Sequence, residues 1–302
     1  MPRAASSCAA SSSRTDTSKT PSSLQPLIDD GIIDSVVRRL RSGKEAAVFL
    51  VNRGGELCCA KVYKDADERG FHQLAAYQEG RKTRGSRDAR ALRGGGRHGR
   101  ELAETQWKNA EADALFKLDR AGVRVPKPFG LFDGVLLMEL VAGPDGGPAP
   151  RLNDLDISPE QAREWHAFMI WQVVLMLCSG TIHGDLSEFN VLVDATGPVI
   201  IDLPQAVDAA SNNNAFAMFE RDVNNLRETF GRSAPELLAT HYAHEIWALY
   251  GAGKLTPTSP LTGEFTFDET AADVEGVLAH IEEERRLAEE RRLRLAEAQA
   301  EG

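Results

Sequence analysis

The stretch His183-Gly184-Asp185-Leu186-Ser187-Glu188-Phe189-Asn190, answered twelve residues later by Asp202 at the end of the apolar run Val199-Ile200-Ile201, decides how this chain is read. An Asp and an Asn five residues apart on one loop suit phosphoryl transfer: the carboxylate can orient a hydroxyl nucleophile and accept its proton, and the amide oxygen can ligate Mg²⁺. A carboxylate just past a strand can bridge Mg²⁺ to nucleotide phosphates. Taken singly, each is equally an ordinary capping Asp or loop Asn. Together, at this spacing and beside two short strands (Val191–Val193 and Val199–Ile201), they predict a metal-assisted phosphoryl-transfer site built on Asp185, Asn190 and Asp202.

Working outward, Ser158-Pro159-Glu160-Gln161 has the form of a capping box with proline at the first helical position. The helix it opens should run to Gly180, and its apolar positions exceed one stripe, which predicts a central core helix. Upstream lies the hinge-like Gly143-Pro144-Asp145-Gly146-Gly147-Pro148, preceded by the short strand candidate Val135–Met138. A further helix is expected over Leu102–Ala121, stopped by Gly122, and another over Ala215–Phe230. In the first hundred residues, Ser35–Leu40, Val48–Asn52 and Leu57–Tyr63 read as strands of an antiparallel meander separated by glycine-bearing breaks.

That β-rich half supplies a cation. Lys61 stands inside the apolar Ala60-Lys61-Val62-Tyr63, where burial is costly unless the charge is paired. Phosphate oxygens and a carboxylate would pair it, and Glu111, beside the apolar positions of the following helix, is the expected carboxylate. Ser42-Gly43-Lys44-Glu45 could cover phosphates with backbone N–H groups, although an ordinary hairpin reads the same way.

Composition bounds the rest. The 302 residues are 42% hydrophobic and 26% charged, with a net charge of −10. That balance disfavours general polyanion binding over the whole surface. No run of about 18 apolar residues exists, so no membrane span is expected. The cysteines Cys8, Cys58, Cys59 and Cys178 have no metal-ligand or disulfide-framework spacing, which favours a reducing, cytoplasmic setting. Charge is unevenly spread: Arg81–Arg100 holds eight basic residues and one acid, a net of +7 against −17 for the remainder. This loop is either a solvated connection or a recognition element for a ribonucleoprotein or other acidic partner, with Ser86 in reach of self-phosphorylation. The Ser- and Ala-rich start lacks the apolar face of a targeting segment and reads as a disordered tail.

In combination these motifs resemble the RIO family of atypical protein kinases, most of all its bacterial branch, over about Gly31 to Arg232. Ser42–Val48 is similar to the family's shortened phosphate-binding loop. His183–Asn190 and Ile201-Asp202-Leu203-Pro204-Gln205-Ala206-Val207 are similar to its catalytic and metal-binding loops. Trp107 with Glu111, and Leu137–Gly143 with Pro148-Ala149-Pro150, match the blocks between. The resemblance implies an α+β, bilobal protein-kinase-like fold with a β-rich N-lobe, a helical C-lobe and a C-terminal helical extension. Its divisions would be a tail over 1–24, the N-lobe over 25–137 with a mobile basic loop at about 78–100, the C-lobe over 138–232 and the extension over 233–302.

The resemblance also implies roles. Lys61, paired with Glu111, would hold the α- and β-phosphates of ATP under the Ser42–Glu45 loop. Backbone groups of Glu139 and Val141 would read the adenine edge, with Met138 lining the pocket. Asp185 would be the catalytic base, and Asn190 and Asp202 would ligate Mg²⁺, with Mn²⁺ as an alternative. Asp222 either braces the catalytic loop or is a surface helical acid. The activity implied is transfer of the ATP γ-phosphoryl group to Ser/Thr of proteins, the chain itself included. An ATP-driven switch with little transfer to protein and a small-molecule hydroxyl kinase are the alternatives. Pro204 stands where most protein kinases carry a glycine, and only about twenty residues separate Asp202 from Arg221-Asp222. Ordinary peptide docking has no room there.

Overall fold

A computed structural model describes residues 20–43, 45–64 and 97–266, with nothing assigned to the side chains of 97–108. The tail 1–19, Lys44, the basic loop through residue 96, the Trp107 side chain and the helix expected at the end of the chain lie outside the described residues.

The meander forms as its glycines dictate. Strands β1 (Ser35–Ser42), β2 (Ala46–Arg53) and β3 (Glu56–Tyr63) pair antiparallel. Gly54 and Gly55 both take positive φ, 61° and 84°, the conformation a two-residue hairpin needs to match strand twist. After helix α1 (Gln25–Asp29) and the meander comes α2 (Arg97–Arg120), and then a second hairpin, β4 (Pro128–Phe132) and β5 (Val135–Glu139). Asp133 and Gly134 turn it, again with positive φ. The five-stranded sheet has the order β1-β2-β3-β5-β4. Strand β4 was not anticipated, although Asp133-Gly134 between two apolar runs is the hairpin signal that would have found it.

The second half is helical. Helix α3 (Pro159–Cys178) starts on the expected capping box: Gln161 N–H donates to Ser158 Oγ, and Ser158 N–H donates to Gln161 Oε1. Met169, Leu177 and their neighbours bury it in the main core with α2 and α4 (Ala215–Gly231). Strand β6 (Thr181–Ile182) pairs with β9 (Val207–Asp208), and β7 (Val191–Asp194) with β8 (Gly197–Ile200). The two small sheets hold the loops that carry Asp185 and Asp202.

Beyond Arg232, Ala234, Ala243 and Ile246 are buried in the same core cluster. The last two sit on α5 (Tyr242–Gly251), which packs on α3 and α4. The short length of α5 and the single turn at Pro235–Ala239 left little periodicity to read in the sequence.

His166, on α3, is buried between the rings of Phe230 and Tyr242, and its Nε2 makes no hydrogen bond among the described residues. Burial lowers its pKa from 6.5 to about 4. The unfolded chain therefore binds this proton more readily, so the contribution is fully present above about pH 6.5 and lost as pH falls toward 4, by on the order of 3 kcal/mol. Denaturant unfolding across pH 4–7 should show a smaller acid loss for His166→Met than for the wild type. Equal slopes would contradict this assignment.

Candidate active site

Lys61 is seven per cent exposed on β3, opposite Val48 of β2 and Leu136 of β5. Its ammonium reaches two carboxylates: Glu111 Oε1 of α2 at 2.5 Å and Asp202 Oδ1 at 2.6 Å. Desolvation works to lower its pKa, but the charges of Glu111 and Asp202 outweigh it and the net shift is upward. Glu111 is buried, and its second oxygen accepts the Tyr63 hydroxyl at 2.8 Å. The Lys61–Glu111 pairing expected from the sequence is thus present, and Tyr63, which was not anticipated, fixes the carboxylate from its other side. Two positions along a strand share a face, so the spacing of Lys61 and Tyr63 carried that signal.

The loop after β6 is held by one face of α4. Asp222 is buried and accepts Gly184 N–H and Leu186 N–H at 2.8 and 2.9 Å. Burial raises its pKa to about 6, against the influence of His183, the two N–H groups and Arg221. Arg221 donates to the Gly184 carbonyl and Asn225 to that of Leu186. Of the two readings of Asp222, the brace is the one observed. Glu188 extends the clamp, accepting from Thr229 at 3.0 Å and Arg232 at 2.9 Å. His183 Nδ1 accepts Asp185 N–H, so Nε2–H donates to the Ile201 carbonyl and ties this loop to the segment carrying Asp202.

Asn190 Nδ2 donates to the Asp185 carbonyl at 2.9 Å and lies 3.4 Å from its carboxylate. That orientation leaves Asn190 Oδ1 without a partner among the described residues. Asp202 has φ 70°, a left-handed conformation costly for a residue with Cβ, and its side chain stays 44% exposed. Desolvation raises its pKa, but Lys61 prevails and the net shift is down. Desolvation raises that of Asp185, with His183 and Arg221 opposing. Asn190 Oδ1 and the free oxygen of Asp202 are hard donors that fit Mg²⁺. No cluster of three His, Cys, Asp or Glu able to hold a metal occurs among the described residues, so a cation here would share its shell with ligand oxygens and water.

These groups line one cleft of about 630 Å³ between the sheet and the helical half. Gly43, Glu45, Lys61, Glu111, Met138, Glu139, Val141, Asp185 and Asp202 border it, a volume in the range of small-molecule sites. Asn190 does not border it. Ser42 is exposed at the end of β1 and does not border the cleft, and Lys44 is outside the described residues. Val141 N–H makes no hydrogen bond among the described residues, whereas its carbonyl accepts from Ala149, so a donor is left at the hinge for a heterocycle edge. Sequence reasoning missed the apolar walls Val48, Cys59, Leu192 and Ile201. Burial pushes the Cys59 thiol up to about 12, which leaves it a neutral wall. A second depression of about 440 Å³, bordered by Cys178 and Tyr250, carries no charged side chain.

A family model described as RIO domain matches residues 47–243. The RIO-type serine/threonine-protein kinase Rio1 of Haloferax volcanii is 33% identical over 220 residues, which are 72% of this chain and 70% of that protein. The human serine/threonine-protein kinase RIO1 is 28% identical over 227 residues, and there the match spans only 37% of the relative. Among solved structures, the Rio2 kinase–ADP/Mg²⁺–phosphoaspartate complex from Chaetomium thermophilum superposes with a TM-score of 0.51 at 24% identity, over 70% of this chain and 59% of that one. That likeness supports the bilobal kinase-like fold.

A Cβ at Gly184, where φ is 81°, would lie 2.7 Å from the Gln205 carbonyl oxygen and 2.8 Å from Met218 Cε. Gly184→Ala should therefore cost about 1–3 kcal/mol. A melting temperature equal to that of the wild type would show the loop is not packed as described.

Proposed function

The chain belongs to the RIO domain family, and we propose that it acts as an ATP-dependent serine/threonine protein kinase of RIO type. The observation that carries this reading is the convergence on one cleft of Lys61, bridged between Glu111 and Asp202, and of Asp185, which is hydrogen-bonded by Asn190 on a loop clamped by α4. Adenine would lie between the walls of Val48 and Leu192 beside Met138, its edge against the backbone of Glu139 and Val141. Lys61 would meet the α- and β-phosphates, with Gly43 and Glu45 of the turn above them.

Asp185 takes the proton of the attacking Ser or Thr hydroxyl. Burial raises its pKa, which makes it a stronger base than an ordinary Asp. Asn190 and Asp202 would hold Mg²⁺, which when bound offsets charge on the phosphate oxygens. Asn190 also keeps Asp185 in position through its hydrogen bond to the Asp185 carbonyl. Arg221 lies near enough to favour the ionised form of Asp185. Among the described residues no helix is long and apolar enough to cross a membrane. A protein acceptor, the chain itself included, and a cytoplasmic setting belong to the same proposal.

One observation favours a second reading, an ATP-driven switch with little transfer to protein. Between Asp202 and Ala215 the only regular element is the two-residue strand β9, which offers no extended edge for a peptide. Free phosphate released without phosphoprotein would favour the switch.

Asp185→Ala should lower γ-phosphoryl transfer by about 10²–10³-fold or more, while ATP affinity stays within a few-fold of the wild type. Excess chelator should stop transfer in both. Wild-type rates from the Asp185→Ala protein, or activity that persists in chelator, would refute the roles given to Asp185 and to the metal.

A further inference from the structure

Carboxylates outnumber cations on the cleft wall, so a polyanion there needs the cations that carboxylates have not already taken. Among the described residues that border the cleft, the cations are Arg41, Lys61 and Arg151, against six carboxylates that include Glu111, Asp185 and Asp202. Lys61 is already shared between Glu111 and Asp202. A triphosphate entering such a surface would meet net negative charge, which in a confined, low-dielectric cleft is strongly repulsive.

Arg41 and Arg151 reach the cleft from opposite halves. Arg41 lies next to the end of β1, opposite Val48. Arg151 follows Pro148-Ala149-Pro150 and forms a lone antiparallel bridge to Leu192 of β7. Neither side chain makes an ion pair or hydrogen bond among the described residues, although Asp154 and Asp202 border the same space. Desolvation lowers the pKa of Arg151 and the charge of Arg41 lowers it further, with Asp202 and Asp154 acting the other way. The two guanidiniums therefore feel one another, and each keeps a fork of N–H donors that suits phosphate oxygens.

We propose that Arg41 and Arg151 are the two arms of a clamp for the nucleotide's terminal phosphates, one arm from each half of the protein, drawn together when a polyphosphate lies between them. The clamp rests on the reading of the cleft as an ATP site and adds to it the groups that distinguish triphosphate from nucleoside. The phosphate end is favoured over an acidic residue of the acceptor. Arg151 is coupled to Asp202, the carboxylate that Lys61 grips, and both arginines border the nucleotide cleft itself.

The test uses the full chain and measures Mg·ATP, Mg·ADP and adenosine affinity by calorimetry. Arg41→Gln, Arg151→Gln and the double variant are compared with the wild type, and Arg38→Gln, on β1 but not bordering the cleft, is the control. The double variant should bind ATP roughly tenfold or more weakly, ADP less so, and adenosine as the wild type does. Its ATP affinity should also depend less steeply on salt. Unchanged ATP affinity overturns the clamp. So does an equal loss for ATP and adenosine, which would mean that the arginines only support the pocket's shape. Unchanged nucleotide affinity with a raised KM for a protein acceptor reassigns them to that acceptor and overturns it as well. A wild-type chain that binds adenosine and ATP equally well overturns the clamp while leaving an adenine site. One that binds neither removes the reading beneath it.

Discussion

A lysine charge inside a β-strand is the constraint on which this structure depends. Lys61 is held between strands β2 and β5 and is largely shielded from water, so its ammonium must be met by carboxylates from elsewhere in the chain. Glu111 supplies one from α2 and Asp202 the other from beyond β8. Removing one partner of such a buried pair leaves an uncompensated charge, at a cost of about 3–5 kcal/mol. The arrangement ties the sheet to the helical half within the cleft. It also accounts for the backbone of Asp202, whose left-handed φ aims the carboxylate back toward the strand.

Opposite the lysine, the polar face of one helix organises the catalytic loop. Arg221, Asp222, Asn225, Thr229 and Arg232 recur along α4 and just beyond its end at spacings of three or four residues once the adjacent first pair is passed, so they form one stripe. Each member touches the loop between Gly184 and Glu188. A buried polar network with its donors and acceptors met rigidifies what it holds. Here it holds the backbone on either side of Asp185 while leaving the carboxylate itself in the cleft. The lysine pair and this stripe act on different segments, and the His183 bond to the Ile201 carbonyl joins them.

What was legible in the sequence followed the range of the interaction. Capping at Ser158 and the glycine turn at Gly54-Gly55 are local and could be read directly. Burial of a charge is almost as legible, because a lone Lys in an apolar strand announces a missing partner. The Asp185, Asn190 and Asp202 constellation came from the chemistry its spacing allows and from resemblance to a kinase family. The contacts that were missed join residues far apart in sequence: Tyr63 to Glu111, Glu188 to Thr229 and Arg232, Arg41 toward Arg151. None alters a local period, so no window of sequence displays it. Strand β4 was legible in Asp133-Gly134 but overlooked. Helix α5 lies inside the stretch expected to be helical, but its bounds and its packing on the core were not legible, because a ten-residue helix with two fully buried positions has little pattern to offer.

The central claim is that Lys61 and Glu111 act as a single unit in positioning the nucleotide. A double-mutant cycle on γ-phosphoryl transfer, with Lys61→Met, Glu111→Gln and the pair together, tests it directly. If the account is right, the double variant is no slower than the slower single variant, because either change alone already dissolves the pair. If the two losses multiply instead, each residue contributes separately and the buried pair is not the element that positions the phosphates.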